Sequence, residues 1–202
     1  MTGVVLAGGK SSRMGTNKAL LSFGGQRLIE RIISALRLLF PEVLIIGGTP
    51  GPYDDLGVRV VPDRIPEKGS LGGIYTAVAA ASSPHAFVMA CDMPFFNSPL
   101  VRHMQDLAAE ADIVIPRSPD GLQPLHAIYG KACLPHMEET IRSGDFRIIR
   151  FFPKVRVREV GPEVLAALDL EGLAFLNTNT PGEFAEAVAR WSAQQEGRCA
   201  AS

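Results

Sequence analysis

The sequence predicts an α/β fold, a mostly parallel sheet with helices on its faces. Three observations lead there. Short apolar runs alternate with amphipathic stretches, the pattern of strands joined by crossover helices. Of the 202 residues 47% are hydrophobic, ample for one continuous core. No repeat, low-complexity block or long linker interrupts the pattern, so residues 1–193 read as a single domain. Residues 194–202 are small and polar and read as a flexible C-terminal tail.

Each element follows from its own residues. Val4, Val5 and Leu6 carry a strand over 3–7. In 27–40 the apolar residues Leu28, Ile29, Ile32, Ile33, Leu36 and Leu39 recur at three- and four-residue steps, giving a helix with one buried face. Strands at 43–47 and 58–61 precede a helix over 71–82. A buried strand over 86–91, Phe87 to Cys91, is stopped by Pro94. A helix at 98–109, strands at 112–115 and 123–129, a helix at 133–143 and a strand at 155–160 follow. The last helix, 181–193, opens on Thr180-Pro181 with Glu183 in its first turn.

Composition excludes several function classes. Twenty Lys and Arg against 21 Asp and Glu give a net charge of -1, which supplies no bulk attraction for nucleic acid or an anionic membrane. The three cysteines, Cys91, Cys133 and Cys199, are an odd number without CxxC or Cys/His ligand spacing, which argues against a disulfide framework and a zinc site. No apolar run approaches the roughly 18 residues of a membrane span, and residues 1–9 lack a secretory signal. The expectation is a soluble cytoplasmic protein with no nucleic-acid or membrane partner.

In an open α/β sheet, ligands sit beyond the carboxyl ends of the strands, so residues that follow strands are the ones to test. The first such stretch is LAGGKSSRMGTNK, residues 6–18. It is not a Walker A loop, because the position that must be glycine is Val4, and the adjacent Gly8 and Gly9 do not fit a dinucleotide fingerprint. What remains is a strand, a glycine turn and three cations at Lys10, Arg13 and Lys18, the build of an anion site. The bland alternative is a tight strand-to-helix turn with solvated lysines.

The second stretch, HAFVMACDMPFF at 85–96, delivers Asp92 at the end of a buried strand. A carboxylate there suits Mg²⁺ held against a phosphate, since magnesium uses one or two protein carboxylates plus substrate oxygens. Alternatively Asp92 caps the helix that starts near Pro99, or makes an Asx-turn. Cys91 reads as a packed thiol rather than a nucleophile. The third stretch, PEKGSLGGIYTA at 66–77, places Gly69, Gly72 and Gly73 where they either admit a base or ribose or let the helix pack closely on the sheet. In the fourth, NTNTPGEF at 177–184, Asn179 either gives an oxygen to metal or substrate or, like Thr180, caps the helix. Arg142, Arg147, Arg150, Lys154, Arg156 and Arg158 form a basic run that is either a solvated face or the seat of a second anionic substrate. His85, His103, His126 and His136 read as surface or packing residues.

Together, VVLAGGKSSRMGTNKALL, GSLGGI, CDMPF and NTNTPGEF resemble the molybdenum cofactor guanylyltransferases, over residues 1 to about 190. The wider family shares a three-layer α/β/α, Rossmann-like nucleotidyltransferase (GT-A-like) fold with a mostly parallel mixed sheet. The resemblance implies transfer of GMP from GTP to the molybdopterin-bound molybdenum cofactor, forming its guanine dinucleotide form, with Mg²⁺ as cofactor and pyrophosphate as leaving group. It implies a nucleotide site of Leu6, Ala7, Gly8, Gly9, Lys18, Gly47, Asp63, Gly69 and Asp92, with Asp92 on the metal and Arg13 and Lys18 neutralising the β- and γ-phosphates. Asn177, Asn179, Arg147 and Arg150 become candidates for acceptor or metal contact. Transient contact with molybdoenzymes or other cofactor-maturation proteins is implied as well. Where the family often carries an asparagine after its second strand, this chain has Gly47-Gly48.

The chemistry agrees with the residues at hand. An acceptor phosphate is already an anion at neutral pH and attacks the α-phosphorus without a catalytic base. Two repelling anions must be aligned and the leaving charge neutralised, which asks for cations and a metal. A cytidylyltransferase acting on the same pterin, a sugar-phosphate nucleotidyltransferase and a non-catalytic nucleotide-binding module share the opening loop.

Overall fold

The computed structural model describes residues 1–8, 17–47, 51–65 and 68–200, side chains of 196–200 excepted. Gly9, Lys10, Arg13, Gly15 and Gly48 lie outside the described residues.

Its main sheet is built on β1 (Thr2–Leu6), which pairs in parallel with β4 (Glu42–Ile46) on one side and β6 (His85–Ala90) on the other. β5 (Arg59–Val61) extends the β4 edge. Beyond β6 come β9 (His126–Gly130), β7 (Ile113–Ser118) and β10 (Val157–Val160), giving the order β10-β7-β9-β6-β1-β4-β5. All seven expected strands are present. β9 runs antiparallel to both β6 and β7, while every other pairing along this order is parallel. The reason is the connection: only seven residues separate β7 from β9, too few for a crossover helix, so the chain must turn back on itself. Within that turn, β8 (Gly121–Leu122) pairs with the end of β7.

Alternation along the strands divides the core into a pair of clusters. Val5, Ile45, Phe87, Met89, Val114 and Ile128 face α1 (Leu28–Arg37), α3 (Ser98–Leu107), α5 (Pro162–Leu168) and α6 (Pro181–Ala200). Val4, Leu6, Leu44, Ile46, Val88, Ile115 and Tyr129 face α2 (Gly69–Ala80) and α4 (Leu134–Arg142). This is the three-layer α/β/α arrangement with a mostly parallel mixed sheet. In α1 the residues at three- and four-residue steps, Leu28, Ile29, Ile32, Ile33 and Leu36, are all buried. Thr180 and Glu183 form a reciprocal capping box at the start of α6: Thr180 Oγ1 accepts from Glu183 N at 3.2 Å and Glu183 Oε2 accepts from Thr180 N at 2.8 Å.

Three local features differ from the sequence reading. α6 does not stop at residue 193 but continues to Ala200, so most of the stretch read as a tail is helical. α5, to which no element was assigned, starts at Pro162, whose fixed φ suits a first helical turn. A hairpin of β2 (Ser22–Phe23) and β3 (Gln26–Arg27) turns through Gly24 and Gly25, both at positive φ (61° and 87°). Gly24 is also a close approach, since a Cβ there would lie 2.1 Å from the Trp191 ring of α6.

Candidate active site

β4 continues on one side of β1 and β6 returns on the other, so strand order reverses at β1 and the carboxyl ends of these three strands border one crevice. Pairing runs to their tips: Ala7 N donates to Ile46 O at 2.9 Å and Cys91 N to Leu6 O at 3.1 Å. Ala7 is half-buried and Gly8 exposed, so the backbone after Leu6 opens to solvent here. Gly47 ends β4 with φ 77°, and a Cβ on it would lie 2.6 Å from Gly8 Cα. Only glycine lets the two strand ends come this close.

Asp92 lies two residues past the end of β6, and its carboxylate is a quarter exposed. It does not cap α3. That task falls to Asn97, whose Oδ1 accepts from Leu100 N at 3.0 Å, so the capping alternative for Asp92 is removed. Lys18 Nζ stands 3.9 Å from Asp92 Oδ2 and 3.5 Å from Asn179 Oδ1. Three segments far apart in sequence thus place a cation, a carboxylate and an amide oxygen together. Burial pushes the Asp92 carboxyl above the ordinary range, and Lys18 opposes the shift without cancelling it. Burial and the neighbouring Asp92 push the Cys91 thiol up to about 12, so it is no nucleophile at neutral pH.

The NTNT segment is held to Asp92 through its backbone. Thr178, fully buried, donates from both N and Oγ1 to the Asp92 carbonyl, at 3.0 and 3.1 Å. With Thr180 serving as the helix cap, the Asn179 side chain is left to meet Lys18, while its N–H donates to Glu183 Oε2 at 2.6 Å. Asn177 is exposed and donates back to Phe175 O at 3.3 Å.

Asp63 lies between β5 and α2, where its Oδ1 accepts from Thr76 Oγ1 at 2.9 Å and Ile65 N at 3.0 Å. These bonds fix the connection against α2. Gly72 and Gly73 are buried, with Gly72 pressed against Ile65 O, which is the close-packing alternative; Gly69 is exposed at the helix start. The basic run carries more opposing charge than its spacing suggests. Lys154 pairs with Glu139 at 2.7 Å and Arg156 with Asp112 at 2.9 Å. Arg147 and Arg150 share Asp145 and stay 71% and 66% exposed. Lys68, at the start of α2, lies 4.7 Å from the centre of the Phe146 ring, which sets this rim beside that helix end. Thr178 and Asn17 escaped the sequence reading; the alternation of Asn and Thr in NTNT, which points successive side chains in different directions, was the signal available for the first.

Residues 3–158 match the model of the MobA-like NTP transferase domain. The chain belongs to this family. As a MobA-like NTP transferase domain it is a nucleotidyltransferase. A protein of Pelotomaculum thermopropionicum named "Probable molybdenum cofactor guanylyltransferase" is 44% identical over 187 residues, covering 92% of this chain and 91% of the relative. One of Clostridium perfringens with the same name is 37% identical, covering 91% and 94%. Among solved structures, molybdopterin-guanine dinucleotide biosynthesis protein A from Archaeoglobus fulgidus superposes with a TM-score of 0.80 at 25% identity, over 96% of this chain and all of that one. The matched span takes in Lys18, Gly47, Asp63 and Asp92, while Asn177 and Asn179 lie beyond residue 158.

Proposed function

We propose that this chain is a molybdenum cofactor guanylyltransferase, transferring GMP from GTP to the phosphate of the molybdopterin-bound molybdenum cofactor and releasing pyrophosphate, in the cytoplasm. The observation that carries the reading is the meeting of Lys18, Asp92 and Asn179 at the strand-order reversal, in a chain 44% identical to a relative of that name. The triphosphate runs along the backbone of Leu6, Ala7 and Gly8, with Arg13 from the same loop. Gly47, Asp63 and Gly69 border the base and ribose. Lys18 neutralises the leaving phosphates.

A mostly buried carboxylate that, among the described residues, pairs with Lys18 and still titrates high fits a divalent cation. Asp92 would hold Mg²⁺, with Asn179 Oδ1 within reach of the same region, and the ion would neutralise phosphate charge. An acceptor phosphate oxygen attacks the α-phosphorus, the bond from that phosphorus to the β-phosphate oxygen breaks, and pyrophosphate leaves with the pair of electrons. No proton needs to move. Arg147 and Arg150, exposed on the rim, are the candidates for holding the acceptor's anionic end.

The test is acceptor-dependent pyrophosphate release with GTP, CTP, ATP and UTP in parallel, each with and without Mg²⁺. Release with GTP alone, and only with the metal, is the expected result. Preference for CTP would make the chain a cytidylyltransferase, and nucleotide binding without any release would make it a binding module.

A further inference from the structure

Lys18 belongs to a turn of 3-10 helix of only three residues, Lys18–Leu20, and so short a turn has little stability of its own. Asn17 anchors it at two points. Its Oδ1 accepts from Ala19 N at 3.2 Å, capping the turn, and its Nδ2 donates to the Tyr53 hydroxyl at 2.8 Å, 36 residues away. Tyr53 is fully buried in the core against the α1 side of the sheet. Its neighbours are pinned in turn: Arg27, at the start of α1, donates to Pro52 O at 3.2 Å and pairs with Asp55 and Glu30. Gly51 N also donates to Asp54 Oδ1 at 3.0 Å. The tyrosine hydroxyl is therefore a fixed post in the 51–56 segment.

We propose that Tyr53 and Asn17 are positioning residues for Lys18: the buried hydroxyl, acting through the Asn17 amide, holds the lysine turn where its ammonium meets the outer phosphates of the nucleotide. The inference rests on the nucleotide reading above. It assigns a catalytic consequence to a bond that would otherwise count as packing. Asn17 is exposed, so an amide released from Tyr53 regains water at little cost. Removing the hydroxyl in Tyr53→Phe should thus leave stability nearly unchanged and free the turn. A merely structural tyrosine would behave in the opposite way.

The measurement is calorimetric titration of GTP and of GMP, with Mg²⁺, into the native protein, Lys18→Ala, Tyr53→Phe and the double variant. Lys18→Ala is expected to weaken GTP about tenfold while leaving GMP within about twofold, because GMP lacks the outer phosphates. Tyr53→Phe is expected to cost GTP roughly three- to tenfold, to spare GMP, and to add nothing in the Lys18→Ala background, the non-additivity of two groups acting as one. Asn17→Ser keeps an oxygen for the cap but is too short to reach Tyr53, and should reproduce the Tyr53→Phe loss if that variant fails to fold. Equal losses for GTP and GMP, equal losses in both lysine backgrounds, or no loss in either positioning variant while Lys18→Ala weakens GTP would each overturn the proposal. A native protein that binds no nucleoside triphosphate would instead overturn the nucleotide reading, and this inference with it.

Discussion

Burial disfavours the charged form of Asp92, and Lys18 offsets this only in part. The folded-state carboxyl titrates above the unfolded one, so between the two the native state holds more protons than the unfolded chain, and stability falls as pH rises through that window. Charging the carboxyl therefore costs stability, which the metal-free protein recovers as pH falls through that window. Asp92→Asn is expected to abolish turnover yet melt at a higher temperature than the native protein at pH 7 without metal, with the gap closing as pH falls to the ordinary carboxyl range. A variant that is inactive and also less stable at neutral pH would show that the carboxylate serves the fold instead. Lys18 and Asp92 were singled out because each lies in a stretch that follows a strand, and the fold brings them within 3.9 Å of each other. Their partners were not. Asn17 finds Tyr53 across 36 positions and Thr178 finds the Asp92 carbonyl across 86, and local spacing names neither partner.

At the scale of elements, the site is a meeting of strand ends and depends on how near they come. Gly47→Ala would place a Cβ 2.6 Å from Gly8 Cα in a backbone conformation that costs a non-glycine residue about 1–2 kcal/mol, so the β1 and β4 tips must move apart. The expected result is a weakening of GTP binding by tenfold or more, with a drop in melting temperature of a few degrees. GTP binding within twofold of native would mean that the crevice lies elsewhere. Most elements of five residues or more were legible, because buried strands and one-faced helices write their pattern over that length; the seven-residue α5 was not. The shorter ones were missed for a related reason. β2, β3 and β8 have two residues each, too few for any period, and only the paired glycines of Gly24-Gly25 mark the hairpin. The end of α6 was misplaced because small polar residues there look like a tail, though Ala and Gln are compatible with a helix.

For the whole molecule, topology does what no single segment can. Reversal of strand order at β1 brings residues 6–8, 18, 47, 92 and 179 to one edge, and the antiparallel β9 lets the chain return beside β6 without a crossover. Parallel pairing was expected from the alternation of runs and helices; the reversed direction of β9 was hidden because a strand's own sequence does not state which way its neighbours run. The basic run shows the same limit, since Asp112 and Glu139, which pair with Arg156 and Lys154, come from other elements. These scattered residues are expected to act on one triphosphate. A crystal structure of the protein with GTP and Mn²⁺, the metal located by its anomalous signal, tests this most directly. The account predicts manganese on the Asp92 carboxylate and Lys18 Nζ against the β- or γ-phosphate. Manganese bound away from Asp92, or a triphosphate lying away from Lys18, would contradict it.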